Sequence, residues 1–233
     1  MTDPHPGLKH KSGNANWLRA AVLGVDDGLV STSSIMMGVL AAGVDYKIIL
    51  TTGIASLVAG AFSMAAGEYV SVSSQRDSED YDIDIEKKSL RDNPEAELNE
   101  LTEIYKQRGL NAQLARTVAE QLHDADAVSA HARDELGITI GRQPNPWQAA
   151  IASAAAFSTG SIIPIIAAIV SDSIGAHGLP IVIVTLIMLL ISGYIGAMIG
   201  GGSRLRAALR VFIGGGAAMA VTFAIGGLVG VAL

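Results

Sequence analysis

The sequence predicts an all-α membrane protein with five transmembrane helices and a helical insertion between the second and the third. Half of its 233 residues are hydrophobic and only 16% are charged. The mean hydropathy is +0.41, which is typical of membrane proteins. Five apolar stretches are each long enough to cross a bilayer, since about 20 helical residues at a rise of 1.5 Å cover its hydrocarbon core. Sixteen of the 22 acidic residues lie between the second and third stretches, which marks that segment as a separate domain.

The apolar stretches divide the chain into four parts. The first stretch begins near Trp17 and carries acids in its middle, so we expect a transmembrane helix there and not a signal peptide. The parts are a tail (1–16), two transmembrane helices (17–74, with apolar runs at 17–44 and 48–74), an acidic helical domain (75–145) and three transmembrane helices (146–233, with runs at 147–170, 179–200 and 207–233).

Basic residues predict the orientation of these helices. Of the 16 Lys and Arg residues, all but Lys47 lie before or at the start of the first stretch, inside the insertion, or between the fourth stretch and the first turn of the fifth. Basic residues near membrane helices favour the cytoplasmic side. We therefore expect a cytoplasmic N-terminus, a cytoplasmic insertion and an external C-terminus.

Composition excludes several kinds of site. The absence of cysteine rules out disulfides, thiolate metal sites and cysteine catalysis. The net charge of −6 says little by itself because the acids are clustered, but the sequence has no basic stripe that would indicate a nucleic-acid partner. We expect membrane lipid around the apolar helices and no tightly bound cofactor.

Two adjacent acids, Asp26 and Asp27, lie inside the apolar run from Ala20 to Val44. An ionised carboxylate near the bilayer centre costs roughly 3 kcal/mol even on insertion scales, so it persists only where it faces a partner, a cavity or a cation. The pair indicates an ion or proton pathway across the membrane. A structural hydrogen bond between helices is the alternative.

Met64 and Glu68 are predicted to lie near the depth of Asp27. Asp27 is ten residues beyond Trp17 on an outward helix, and Met64 is ten residues before Ser74 on an inward one, which places both about 15 Å deep. Glu68 lies one turn from Met64 on the same face, toward the cytoplasm. A carboxylate with a thioether favours Fe(II) over Mg²⁺ or Ca²⁺. Core or lipid-facing packing would also account for Met64 alone.

The insertion is predicted to be helical throughout. Asn93 and Pro94 break the chain and restart it, with Asn at the N-cap and Pro at the first helical position. Gly109 closes that helix, and Asn111 begins the next. Helices are therefore expected over 77–91 as a continuation of the second transmembrane helix, over 94–108, from 111 onward, and over 131–136 as a third short helix.

Acidic side chains recur on three of these helices. Glu97, Glu100 and Glu103 are spaced three residues apart and so share a face, which a solvated amphipathic helix would explain by itself. Three acidic faces in one small domain would repel one another unless a cation lies among them, and oxygen ligands suit Mg, Mn and Fe(II). His131 lies four residues before Glu135 and so shares its helix face, and a histidine ligand would favour transition metals among these ions. The candidate ligands are Glu86, Glu97, Glu100, His131 and Glu135.

An enzymatic alternative comes from Glu120-Gln-Leu-His123. This segment matches the Glu-x-x-His pattern of carboxylate-bridged di-iron bundles. That architecture requires two such motifs and two further glutamates, and the chain has one motif. A membrane-anchored di-iron oxidoreductase is therefore the alternative outside transport, and we expect the chain not to be an enzyme.

Two membrane elements resemble those of the vacuolar iron transporter family, in particular its bacterial members. They are Val25-Asp26-Asp27-Gly28-Leu29 and Gly60-Ala-Phe-Ser-Met64-Ala-Ala-Gly-Glu68-Tyr69, and the acidic insertion follows them in the expected place. The resemblance implies a five-span homodimer, here in a bacterial inner membrane, that exports Fe(II) and/or Mn(II) in exchange for protons. It implies a translocation path at the dimer interface, between the first two helices of each subunit, and no tightly bound cofactor.

The family's ligands carry over to six positions of this chain. The resemblance implies that Asp27 and Met64 bind metal in the membrane, and that Glu86, Glu97, Glu100 and Glu135 bind it in the insertion. Three positions depart from the plant-type pattern: Ser56 and Ser89 replace glutamates, and His131-Ala132 replaces a methionine pair. Glu68 restores a membrane carboxylate, and we expect Asp27 and Glu68 to carry the coupled protons. A carrier for another solute with a regulatory acidic domain is the remaining alternative.

Overall fold

The computed structural model describes residues 15–141, 143–176 and 178–232, and this part of the chain consists of helices joined by turns. The prediction of an all-α protein is confirmed. Residues 1–14 of the predicted N-terminal tail lie outside the described residues. The helices are α1 (Ala15–Ala41), α2 (Tyr46–Asp92), α3 (Pro94–Gln107), α4 (Ala112–Asp134), α5 (Pro146–Ser173), α6 (Leu179–Gly200) and α7 (Arg204–Ala232).

Four described helices, α2, α5, α6 and α7, are long and apolar enough to cross a membrane. With 27 residues α1 has sufficient length as well, but it is not one of the four. Asp26, Asp27 and the polar residues 31–34 lower the hydropathy of α1. The count of five transmembrane helices therefore stays a prediction.

The chain divides into two compact units. The bundle unit contains α1, α2 as far as Glu68, and α5 to α7 from Gln148 onward. The insertion unit is Tyr69–Trp147 and contains the rest of α2 together with α3 and α4. As the sequence predicts, α2 continues without a break from its apolar run into the acidic stretch and ends at Asp92.

In the bundle unit, α1 packs against α6 and α7. Met36 and Met37 of α1 join one core cluster with Ile49, Ile165 and Ile181, and all five side chains are buried. A few polar contacts lie inside this core. The hydroxyl of Thr32 donates to the hydroxyl of Ser161 at 3.0 Å, and both side chains are fully buried.

Glycines allow the backbones of α1 and α5 to approach closely. A Cβ at Gly160 would lie only 2.1 Å from the carbonyl oxygen of Val25, and one at Gly28 would lie 2.2 Å from that of Phe157. Backbone atoms cannot move aside as a side chain can, so these contacts require the absence of a side chain. Small residues at helix interfaces are the usual means of close packing in membranes.

We expect Gly160→Ala to lower the stability of the bundle by about 1–3 kcal/mol, because the added methyl group forces α1 and α5 apart. Gly214→Ala on α7 is the matched control, since a Cβ there meets no atom within 4 Å. Thermal unfolding of the purified protein in detergent measures the effect. Equal melting temperatures for the two variants would contradict the prediction.

The insertion unit follows the predicted turn signals, with one helix displaced along the chain. Pro94 opens α3, and Asn111 caps α4 by accepting a hydrogen bond from the backbone N–H of Leu114 at 2.9 Å. α4 is interrupted at Asp126, whose backbone is extended (φ −165°, ψ 91°) and whose carboxylate accepts from the N–H of Ser129. The helical segment after this break carries His131 and ends at Asp134, so the third predicted helix is present but begins and ends earlier than the predicted 131–136.

α3 and α4 pack on each other around a small core. Leu101 and Tyr105 of α3 lie against three alanines of α4, and the five side chains are buried (Leu101, Tyr105, Ala115, Ala119 and Ala130). Alanines on the α4 face let the two helices approach closely. This packing holds the first turn of α3 and the last turn of α4 in fixed positions, and both carry candidate ligands.

Candidate metal centre

Four potential metal-ligating side chains converge in the insertion unit. One ligand atom from each of Glu86, Glu97, His131 and Glu135 lies within 4.8 Å of the others. We call this group the Glu–His cluster. It draws Glu86 from α2, Glu97 from the first turn of α3, His131 from the last turn of α4, and Glu135 from the residue that caps α4.

Short-range features of the sequence place these side chains. Only Asn93 separates α2 from α3, so Glu97 in the first turn of α3 stays near the last turns of α2. The backbone N–H of Glu135 donates to the carbonyl of His131 at 2.9 Å, which continues the helical geometry for one more residue. The side chains of His131 and Glu135 therefore share one helix face.

His131 lies at the centre of the cluster. Its Nδ1 is 3.1 Å from Glu86 Oε1, 3.4 Å from Glu135 Oε2 and 4.0 Å from Glu97 Oε2. His131 is completely buried, and the Glu86 residue is only 5% exposed. Buried carboxylates normally have hydrogen-bonded partners. Although Glu86 Oε1 lies 3.1 Å from His131 Nδ1, it forms no hydrogen bond among the described residues, and neither does His131 Nε2; both atoms are buried.

The electrostatics show an excess of negative charge at this position. The pKa of Glu86 is raised from 4.5 to about 7, first by burial and then by the charges of Glu135, Glu97 and Glu100, while His131 acts to lower it. The pKa of Glu100 is raised as well, first by the charge of Glu135 and then by burial. Clustered carboxylates retain protons unless a cation relieves their repulsion.

Other acids in the same unit are neutralised by neighbouring cations. Asp134 is buried, which opposes its ionisation, but hydrogen bonds from Arg133, Tyr105 and Arg108 outweigh this and hold its pKa well below the usual range. Glu103 accepts from Lys106. Across the described residues, no Lys or Arg forms an ion pair with a member of the Glu–His cluster.

Three carboxylates and one imidazole suit a borderline divalent ion. Carboxylate oxygens bind Mg, Mn and Fe(II), and an imidazole shifts the preference toward transition metals. Glu100, also predicted as a ligand, is exposed and is not one of the four grouped side chains, although its charge interacts with theirs. The structure thus groups four of the five candidate ligands of the insertion.

Comparisons with known proteins identify the family. The family model described as the VIT family matches residues 18–227. The chain belongs to the VIT family. It is 45% identical to "Vacuolar iron transporter" of Acanthamoeba castellanii, over 94% of this chain and 82% of that protein. It is 40% identical to "Vacuolar iron transporter homolog 1" of Arabidopsis thaliana (94% and 86% of the two chains) and 37% identical to "Vacuolar iron transporter homolog 2" of the same plant (94% and 87%).

Membership of the VIT family confirms the predicted resemblance and makes the chain an integral membrane protein. The relatives are named as transporters, which agrees with the prediction that the chain is not an enzyme. A bacterial origin within the family stays a prediction, as does the location in a bacterial inner membrane.

The predicted membrane ligands lie in the bundle unit of this VIT family member. Asp27 is exposed on α1, and Met64 and Glu68 lie half-buried one turn apart on α2. The Asp27 and Glu68 carboxylates have no hydrogen bond or ion pair within the described residues. Asp26 faces α6, where it interacts with Ser192, and its Oδ1 is buried without a partner. These placements leave the roles of Asp27, Met64 and Glu68 as predictions.

The Glu120–His123 motif of the enzymatic alternative is not assembled into a metal site. Arg116 donates to the Glu120 carboxylate at 2.7 Å, while the His123 ring lies edge-on to His131 with ring centroids 5.8 Å apart. A di-iron site requires both side chains to point at one metal pair. Because the Glu120 carboxylate is paired with Arg116, the structure does not favour this site.

We expect the metal-free protein to lose stability as pH rises from about 5 to about 8. The pKa of Glu86 is raised in the folded state, so its contribution to stability is complete below about 4.5 and is lost as pH rises through about 7. The lowered pKa of Asp134 makes stability fall as pH decreases, but only below its ordinary pKa of 3.8, which lies outside this range. Thermal unfolding of the full chain in detergent, with a chelator and then with Mn(II), measures the effect. Metal should flatten the pH dependence, and an unchanged slope would contradict the interpretation.

Proposed function

We propose that this protein transports Fe(II) and/or Mn(II) out of the cytosol across a membrane in exchange for protons. The observation that carries the proposal is the Glu–His cluster, an under-neutralised group of four ligands in a chain whose relatives are named vacuolar iron transporters. Excess negative charge attracts divalent cations, and the imidazole favours transition metals among them.

The proposed architecture has five transmembrane helices and acts as a homodimer. The 27 residues of α1 rise about 40 Å, enough to cross a bilayer with tilt. The distribution of Lys and Arg supports a cytoplasmic insertion unit and an external C-terminus. Asp27 is exposed on the surface of the single chain, where a second copy would cover it.

Transport would begin at the Glu–His cluster and continue through the membrane at Asp27 and Met64. The cluster collects metal from the cytosol, and the carboxylate and thioether then bind it within the bilayer. Metal and proton compete for one carboxylate, so protonation from the opposite side releases the ion. Glu68, one turn from Met64, would take the exchanged proton.

The test is metal uptake by liposomes containing the purified protein under an imposed pH gradient. We expect Fe(II) and Mn(II) to move faster than Zn(II) and Co(II), and to drive protons the opposite way. Absence of metal flux would contradict the transport proposal. Movement of another solute would support the alternative carrier, and consumption of oxygen with Fe(II) would support the alternative di-iron oxidoreductase.

Glu68→Gln tests the proton coupling separately. The amide keeps the shape of Glu68 but cannot take up or release a proton near neutral pH, so metal should still move while fewer protons flow back per metal ion. A pH-sensitive dye trapped in the liposomes reports the proton flow. Glu79→Gln, farther along α2 in the acidic stretch, is the matched control and should keep the coupling ratio. An unchanged ratio in Glu68→Gln would place the proton carrier elsewhere.

A further inference from the structure

A cavity of about 550 Å³ lies in the bundle unit between α6, α7 and α1. Its wall on α6 consists largely of glycines, Gly193, Gly196 and Gly200, and α1 contributes Val22. Residues without side chains leave space beside the backbone. The cavity is therefore open to a group that the chain itself does not supply.

Two arginines from the beginning of α7 line this cavity. Arg206 and Arg210 are four residues apart on α7 and so project from the same face. No acidic residue lines the cavity. Neither arginine has an ion pair or a hydrogen bond within the part of the chain that the structure describes. The two guanidinium groups thus give the cavity an uncompensated positive charge.

A third arginine of the same turn is held differently. Arg204 lies over the ring of Tyr194, 5.7 Å from its centroid, and donates to the tyrosine hydroxyl at 3.3 Å. It does not line the cavity. The comparison shows that arginines here can find partners within the protein, and that Arg206 and Arg210 remain available to an external one.

The surroundings of the cavity are apolar. Leu205, Leu209 and Ile213 recur every four residues on α7, beside the arginine face, and are 69%, 44% and 64% exposed. α7 continues from there as one of the helices apolar enough to cross a membrane. A ligand that meets this region has an anionic group for the arginines and hydrocarbon for the exposed stripe.

We propose that this cavity binds the headgroup of an anionic phospholipid. Arg206 and Arg210 contact the phosphate, which the planar guanidinium recognises through paired N–H donors, and the acyl chains lie along Leu205, Leu209 and Ile213. Basic pockets between membrane helices on the cytoplasmic side suit such headgroups. The proposal concerns a lipid site and does not depend on the transported ion.

The test compares lipid binding to the full-length protein in detergent. Fluorescent phosphatidylglycerol should bind more tightly than the same probe on phosphatidylcholine. Arg206→Gln and Arg210→Gln should each weaken phosphatidylglycerol binding about five-fold, the value expected for one basic residue near an anionic lipid. Arg204→Gln removes the same charge outside the cavity and should have a much smaller effect. Equal effects of the three variants, or equal binding of the two lipids, would overturn the proposal.

Two further measurements locate the lipid and its source. Gly202 lines the cavity, and a Cβ there meets no atom within 4 Å, so Gly202→Leu should fill the space without disturbing the fold or the charge. Phosphatidylglycerol binding should fall, and unchanged binding would place the lipid elsewhere and overturn the proposal. Inorganic phosphate at matched concentration should not displace the lipid. Full displacement would identify a soluble anion site instead.

Discussion

Asp27→Asn should abolish metal transport while the protein still folds. Asparagine keeps the shape of the side chain and removes its charge, so a binding role is lost without a packing defect. Asp27 has an exposed side chain on α1, and its carboxylate has no hydrogen bond or ion pair among the described residues. A membrane carboxylate without a fixed partner is costly, and a transported cation is the partner that would compensate it. The measurement is Fe(II) or Mn(II) flux into liposomes.

Asp45→Asn is the matched control for that experiment. Asp45 precedes α2, is exposed, and accepts a hydrogen bond from the backbone N–H of Lys47 at 2.9 Å. Asparagine caps helices as well as aspartate does, so the change removes one charge near the end of α1 at little structural cost. We expect near-normal flux. Near-normal flux in Asp27→Asn as well, at equal reconstitution, would exclude Asp27 from the path.

The helices could be predicted from the sequence because local signals determine them. Length and hydropathy define α2, α5, α6 and α7, and Asn93-Pro94 and Asn111 mark the starts of α3 and α4. The start of the third helix was predicted several residues too late. Asp126 was the local signal for it, because Asp is favoured at N-caps and its carboxylate accepts from the N–H of Ser129.

Membership of the Glu–His cluster could be predicted only in part. Spacing placed Glu97, Glu100 and Glu103 on one face, but the structure groups Glu97 alone among them. Glu103 is engaged by Lys106, three residues away on the same helix. The pairing of Asp134 with Arg108 depends on the packing of α4 on α3, which no local pattern reveals.

The arginines of α7 illustrate the same limit. The sequence-based prediction of membrane orientation treats all three arginines alike, because Arg204, Arg206 and Arg210 are each basic residues next to an apolar run. Only the positions of α6 and Tyr194 separate the arginine with an internal partner from the two that line a cavity. Four-residue spacing at the start of a membrane helix was the available signal, and it indicates a shared face without showing what that face meets.

Changes at Asp27 and changes in the Glu–His cluster should impair transport in different ways. Loss of a membrane ligand should stop translocation, whereas loss of a cluster ligand should weaken capture and leave slow transport at high metal concentration. Comparison of flux at low and high metal therefore separates the two sites. A cluster variant with no flux at any concentration would contradict a purely capturing role.

Glu86→Gln should lower metal affinity by at least roughly tenfold and also stabilise the metal-free protein near pH 8. Glu86 is buried and its pKa is raised to about 7 by burial and by neighbouring carboxylates, so its ionised form opposes folding until a cation binds. An uncharged amide removes both the repulsion and the ligand. Calorimetry with Mn(II) and thermal unfolding of the full chain measure the two effects.

Glu103→Gln is the control for Glu86→Gln, because Glu103 is exposed and paired with Lys106 on α3. Neither its metal affinity nor its stability should change much. Glu100→Gln should fall between the two, since its charge reaches the cluster although its carboxylate is not one of the four ligands. A structural role for Glu86 predicts that its loss destabilises the protein and leaves Mn(II) affinity intact. The opposite signs of the two measurements decide between a structural residue and a metal ligand.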